Sequence, residues 1–231
     1  MIFDPEERSD EGSMIFKVES LIFDMDGVIT DTMRYHYRAW KEVFVRYGVR
    51  VSHEDIYKRE GQKGIDSVRE IFFEHGLRHS DGLGHQVLKE KEELFKEIFR
   101  SRFIPGSRSL LKGLKRQGFL LGLVTGTSRH EAQKLLPPEL WEAFNVVVCG
   151  SDVHNGKPHP EPYEKAVRHL NVQKSRAVVL ENAPFGIRSA KAAGLTCFAL
   201  ETSLPGSFLS GADHIFLSYR DMLAKVHFQR L

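Results

Sequence analysis

Cysteine is scarce in the 231 residues. Cys149 and Cys197 sit inside the apolar runs NVVVC and LTCFAL with no metal-type spacing between them, and they read as buried free thiols. No apolar run approaches the roughly 18 residues that a membrane span needs. The opening segment MIFDPEERSDEGS is acidic and polar and lacks the basic start and apolar middle of a secretory signal, so a cytoplasmic location and no membrane partner are expected. Basic blocks are missing as well. Lys and Arg are scattered and the formal net charge is only +2, which argues against a nucleic-acid partner. No G-x-G-x-x-G follows the first apolar run, which disfavours a nicotinamide enzyme.

Hydrophobic residues make up 41% and charged residues 28%, the balance of a globular chain rather than a disordered one. The length suits one domain carrying an insert, and a monomer is expected. VESLIFDMDG opens as a buried strand that ends in acidic residues and a Gly, and the runs FLLGLVT, NVVVCG, AVVLEN and LTCFALE follow much later. Helical patterns separate these runs from about Pro105 onward. That alternation predicts a three-layer α/β fold, a Rossmann-like parallel sheet with helices on both faces. Between about Thr32 and Phe103 the sequence holds helical patterns and no convincing strand, with Gly48 and Gly76 as helix stops. The expected organisation is an extension over 1–15, in which Met14 offers an alternative start, a core from 16–31 and 104–231, and an all-helical insert over 32–103.

The sharpest local feature is FDMDGVITD, where Asp24 and Asp26 stand two apart as a strand ends. Side chains two apart share a face, so both carboxylates reach one small volume beyond the sheet's carboxyl edge, where open parallel sheets bind ligands. Taken alone, the same residues also read as a strand followed by an Asp-Gly turn.

FDMDGVITDT resembles the first motif of the haloacid dehalogenase superfamily, particularly its β-phosphoglucomutase-like branch, and the resemblance covers nearly the whole chain after the extension. It implies that Asp24 attacks phosphorus to form an aspartyl phosphate, while Asp26 protonates the leaving oxygen and later activates water. A carboxylate nucleophile must be held in line while the phosphoryl charge is neutralised, so the resemblance implies Mg2+ as cofactor. Asp24 is then expected to stay ionised and Asp26 to carry a proton. LLGLVTGTS supplies the second motif, with Thr125 as its hydroxyl and Gly126 and Thr127 as phosphate-binding neighbours. GKPHPEPY supplies the third, Lys157 before Pro158, whose ammonium offsets Asp24 and phosphate and whose following peptide bond is expected to be cis. AVVLENAPFG supplies the fourth, Glu181 and Asn182, which with Asp24 and the Asp26 carbonyl form the implied metal set. Asn182 departs from the family pattern, where Asp is commoner. An amide oxygen ligates magnesium without contributing charge.

The resemblance makes the helical insert a cap that closes over the site and selects substrate. Thr32 and His36 lie in a stretch close to that of β-phosphoglucomutases, and both are expected near the substrate. In KREGQKGIDSV, Gly64 stands where the mutases carry an Arg that grips a second phosphate, with Lys63 beside it as a candidate phosphate ligand. Losing a bidentate guanidinium favours a phosphatase acting on a small phosphorylated metabolite, such as a sugar phosphate, over a β-phosphoglucomutase-type mutase. A metal-free dehalogenase would not need Asp26 and Glu181, and a sugar-phosphate-sensing or partner-binding domain stands as the non-enzymatic alternative. His154 and His159 flank Lys157 and are candidates to touch substrate. His75 and His79 straddle Gly76 and do not resemble a zinc pair.

Overall fold

The structure is a computed structural model, and it describes residues 7–8, 13–77, 80–100 and 102–231. Strand β1 is Glu7–Arg8, β2 Met14–Val18 and β3 Ser20–Phe23. Helices α1 (Met33–Arg46), α2 (His53–Tyr57), α3 (Gly64–Glu74), α4 (Asp81–Ile98) and α5 (Ser107–Arg116) follow before β4 (Leu120–Val124). Next come α6 (Arg129–Leu135), α7 (Pro138–Trp141), β5 (Val146–Val148), α8 (Glu161–Leu170) and β6 (Ala177–Glu181). The chain then runs through α9 (Pro184–Ala192), β7 (Thr196–Leu200), β8 (His214–Phe216), α10 (Tyr219–Lys225) and β9 (Val226–Arg230).

Six strands form a parallel sheet in the order β5-β4-β3-β6-β7-β8. Every residue of β3 is buried because helices cover both faces: Leu21 and Phe23 join the apolar cluster under α5, and Ile22 joins the one under α8 and α9. From β3 the sheet extends one way through β4 and β5 and the other way through β6 to β8. The end of β3 is thus the point where strand order reverses, the crevice in which such sheets bind ligands.

Two features of the ends differ from the sequence expectation. Only the β3 part of the first apolar run enters the main sheet: its Val18 ends β2, which pairs in parallel with β9 and antiparallel with β1 in a separate three-stranded sheet. Residues 7–8 and 14–15, read as extension, therefore belong to a sheet. β8 and β9 escaped notice because HIF is too short to show a period and VHFQR interleaves polar residues.

Helices α1 to α4 enclose an apolar cluster of their own that includes Trp40, Phe44, Val68, Ile71, Phe72 and Val87. Gly48 and Gly76 end α1 and α3 with φ of 76° and 68°, left-handed conformations that favour glycine. The chain leaves and re-enters the sheet side by side, with Thr30 bridging Phe103 and Asp31 N–H donating to the Arg102 carbonyl. No helix of the described residues is long and apolar enough to cross a membrane.

Candidate active site

All four motif segments meet at the carboxyl edge of the sheet. Asp24 follows β3, where its N–H donates to the Leu180 carbonyl at 3.0 Å, and it is 1% exposed. Lys157 Nζ donates to Asp24 Oδ1 at 2.6 Å, to Glu181 Oε1 at 2.7 Å and to the Val124 carbonyl at 3.1 Å. The Lys157–Pro158 peptide bond is cis, as expected. Tyr163 OH also donates to Glu181 Oε1, at 2.6 Å, and Asn182 N–H donates to Oε2 at 3.0 Å. Of the 181–182 pair, the atom left open is therefore Asn182 Oδ1, and Glu181 serves chiefly to hold Lys157.

Asp26 is ringed by donors. Thr32 Oγ1 donates to its Oδ1 at 2.5 Å, Thr127 Oγ1 to its Oδ2 at 3.3 Å, and His36 Nε2 lies 3.3 Å from Oδ1. Lys91 Nζ, from α4, lies 2.9 Å from His36 Nδ1. An ammonium has no lone pair, so Nδ1 accepts and the ring proton sits on Nε2, aimed at Asp26. Phe95 stacks on the imidazole at 4.3 Å and fixes its plane. Thr125 Oγ1 accepts from Thr127 N–H at 3.1 Å and shapes the turn after β4.

Without a cation, the protein groups order the two carboxyls differently from the division of roles expected for the metal-loaded site. Burial, with the Glu181 and Asp26 carboxylates, raises Asp24 despite the opposing Lys157 charge. Burial acts the same way on Asp26, but His36, Thr32 and the Lys91 charge outweigh it and hold that carboxyl below its usual value. The protein groups alone thus favour a proton on Asp24 rather than on Asp26, because Asp26 has donors on three sides while Asp24 Oδ2 has none. A divalent cation against Oδ2 would oppose that order. Burial and Lys91 keep His36 neutral-leaning, and Lys157 is raised because Asp24 and Glu181 outweigh its desolvation.

Three buried side-chain oxygens around this centre have no hydrogen-bond partner: Asp24 Oδ2, Asn182 Oδ1 and Glu60 Oε1. Buried oxygens of this kind are costly unless something else satisfies them. The Asp24 and Asn182 atoms fit a hard cation, which takes oxygen ligands of mixed charge.

A family profile described as haloacid dehalogenase-like hydrolase matches residues 21–200. The chain belongs to that family. It is 34% identical over 186 residues to a phosphorylated carbohydrates phosphatase of Thermotoga maritima, covering 77% of this chain and 82% of that one. It is 31% identical to the validoxylamine A 7'-phosphate phosphatase of Streptomyces hygroscopicus subsp. limoneus, covering 83% and 90%. The structure of a β-phosphoglucomutase from Clostridium difficile superposes with a TM-score of 0.77 at 25% identity, covering 90% and 96%. Relatives in this family thus include both named phosphatases and a named mutase.

Asp24, Asp26, Thr32, His36, Thr125, Thr127, Lys157, Glu181 and Asn182 all converge on one centre. Gly126 lies at its edge, where the loop over 58–63 presses on it: a Cβ there would stand 2.4 Å from the Gly61 carbonyl and 2.5 Å from that of Gln62. Lys63 does not reach the centre. Its Nζ donates to the Val153 and His154 carbonyls at 2.5 and 2.7 Å, because it caps the far side of the loop, so it ties the helical segment to the sheet domain instead of holding phosphate. His159 Nδ1 accepts from Glu161 N–H, both His154 and His159 are exposed, and neither is brought to the centre. His75 ends α3, and His79 lies outside the described residues. Arg59, Glu60, Lys91 and Tyr163 escaped the sequence reading. Lys91 sits in the run KEKEE, which looks like a solvated helix face, and only its three-dimensional place on His36 reveals it.

Proposed function

We propose that the protein is a magnesium-dependent phosphatase that hydrolyses a small phosphorylated metabolite, a sugar phosphate, through an aspartyl phosphate on Asp24. In this reading Asp24, Asn182 Oδ1 and the Asp26 carbonyl hold the cation, with Glu181 Oε2 beside them. The cation would supply positive charge against the phosphoryl oxygens.

The chain's own groups do the rest. Lys157 fixes the Asp24 carboxylate and adds charge beside the phosphoryl group. Asp24 attacks phosphorus, and the leaving oxygen takes its proton from Asp26. Asp26 then draws a proton from the water that attacks the aspartyl phosphate, releasing inorganic phosphate and freeing Asp24. The donors around Asp26 suit this second step, in which it acts as a base. For the first step it needs a proton, and withdrawal of Thr32 and His36, which share the entry to α1, would raise its affinity for one.

The helical segment acts as a cap. A cavity beside Asp26 is lined by apolar side chains, among them Met33, Trp40 and Leu88, and by polar ones, among them Gln62, Ser67 and Ser128, a mixed lining suited to the body of a sugar leaving group. Hydrolysis is favoured over phosphosugar isomerisation by one observation: the cations lining this cavity are already committed. Arg59 is bound by Glu70, Glu74 and the Asp55 carbonyl, and Lys91 by His36. Glu92 and Glu131 add carboxylates to the same walls. A mutase must hold a bisphosphate at both ends, and these walls repel the second phosphate. A direct comparison tests the reading: phosphate release from monophosphates against glucose 6-phosphate formed from β-glucose 1-phosphate with bisphosphate primer, in one magnesium-containing preparation. Dominant isomerisation overturns it.

A further inference from the structure

An amide ligand differs from a carboxylate in having a wrong end. Asn182 can offer a cation its Oδ1 only while Nδ2 is turned away, and both Nδ2 hydrogens then need acceptors, because the residue is fully buried. The structure meets that demand. Oδ1 has no partner, and Nδ2 donates to Glu60 Oε2 and to Ser203 Oγ, each at 2.8 Å. Ser203 lies on the loop after β7, 21 residues beyond Asn182, and carries no charge of its own.

That loop is held on both sides of Ser203. Glu201 N–H donates to the Phe216 carbonyl at 2.9 Å, Thr202 Oγ1 donates to the Gly27 carbonyl at 2.6 Å, and Leu204 is buried in the apolar cluster under α8 and α9. The Thr202 bond ties the loop to the turn that carries Asp26, so Ser203 is fixed against the segment that would offer the Asp26 carbonyl. Gly27 leaves the room for this contact: its φ is 80°, and a Cβ there would stand 2.0 Å from Asn182 Nδ2 and 2.7 Å from Ser203 Oγ. The Ser203 hydroxyl and the Asn182 amide therefore meet directly beside Gly27, with no side chain between them.

We propose that Ser203 is a positioning residue for the cation site: by accepting from Nδ2 it holds the Asn182 amide with Oδ1 toward the cation. This rests on Asp24 and Asn182 forming the cation site of the proposed phosphatase. Without the Ser203 hydroxyl, the cation-facing orientation leaves a buried N–H unpaired, and the amide loses part of its preference for that orientation. A carboxylate at position 182 makes the opposite demand. It has no N–H to satisfy and presents an oxygen at either end, so removing a neighbouring hydroxyl leaves its charge and its hold on a cation in place. Ser203 is thus needed by the asparagine that this chain carries and would not be needed by an aspartate. Outer partners of metal ligands contribute about 10–100-fold in affinity.

Calorimetric titration with MgCl2 tests this on the full-length wild type, Ser203→Ala, Ser203→Thr, Asn182→Asp and the Ser203→Ala/Asn182→Asp double variant, each checked for a cooperative melt in chelator. Ser203→Ala should bind Mg2+ about tenfold or more weakly than wild type. In the Asn182→Asp background the same alanine should weaken Mg2+ by less than about threefold, a departure from additivity that a general packing role for Ser203 would not produce. Ser203→Thr keeps the accepting oxygen and should bind within about threefold of wild type, which decides the matter should Asn182→Asp not fold. Equal Mg2+ affinity in wild type and Ser203→Ala overturns the proposal, as does an equal loss in both backgrounds or a loss in Ser203→Thr as large as in Ser203→Ala, and each of these leaves the cation site standing. Failure of the wild type to bind Mg2+ overturns the cation site and the proposal with it.

Discussion

Lys157 and Asp24 lie 2.6 Å apart, nitrogen to oxygen, with each side chain only 1% exposed, and Glu181 completes the cluster from the other side at 2.7 Å. Two carboxyl groups share one ammonium in an interior that cannot hydrate their charged forms. Removing the ammonium strands both. Lys157→Met should cost about 3–5 kcal/mol of stability, the range for breaking a buried ion pair from one side. It should also lower phosphate release by about 100-fold or more, since a fixed charge at the reacting centre is lost. Urea unfolding and turnover of the same preparations measure both. A change of stability within about 0.5 kcal/mol, the size of an ordinary surface substitution, would show that the cluster is not the buried pair described here.

Asp24 gives a contrasting outcome. Its burial is unfavourable to the charged form, and Oδ2 has no partner. Asp24→Asn should therefore melt no lower than wild type in chelator while losing essentially all turnover, because the amide cannot form the aspartyl phosphate. Substantial residual activity in the variant contradicts the nucleophile assignment.

The sheet and its motif-bearing strand ends were legible because their signals are local: an apolar run, a Gly or Pro, and a chemical group at the junction. Asp24, Thr125, Lys157 and Glu181 are of this kind, and all four meet. Helix-borne partners are not legible in that way. Lys91 is separated from His36 by 55 residues, and it becomes a site residue only because α4 packs on α1. Glu60 reads as one more charged loop residue until the loop is seated on Asn182. Lys63 erred in the opposite sense, since its neighbourhood in sequence to Gly64 did not reveal that its side chain turns toward the Val153 carbonyl.

Cys149 and Cys197 are both fully buried. Burial pushes the Cys149 thiol up to about 11 and raises Cys197 well above its ordinary value, with Glu181 and Asp213 adding to the effect. Since the thiolate is the reactive form, neither should react with a disulfide reagent at pH 8 in the native protein, and both should react once it is unfolded. Fast native labelling of either one contradicts the packing around it.

Lys91 ties stability to function most directly. Only 8% exposed, it lies over the Trp40 and Phe95 rings at 5.1 and 5.2 Å and donates to His36, while Asp26, Glu92 and Glu131 supply the acidic charge around it. Burial outweighs those carboxylates and lowers its pKa from 10.5 to about 8. Below pH 8 the folded and unfolded chains both hold the proton, so the full cost of the buried charge is present. Between about 8 and 10.5 the unfolded chain holds more protons than the folded one, and stability from this group rises with pH. Lys91→Met keeps the apolar stem and removes the charge, so it should be the more stable protein at pH 7 by about 2–3 kcal/mol. That advantage should shrink steadily as pH climbs from 8 toward 10.5, which urea midpoints at several pH values would follow. The same change removes the donor that keeps the His36 proton on Nε2, so phosphate release should fall by about 10-fold or more even as the fold strengthens. A stability difference between wild type and Lys91→Met that does not vary with pH would mean that the ammonium is solvated in the folded protein, and its link to His36 would fall with it.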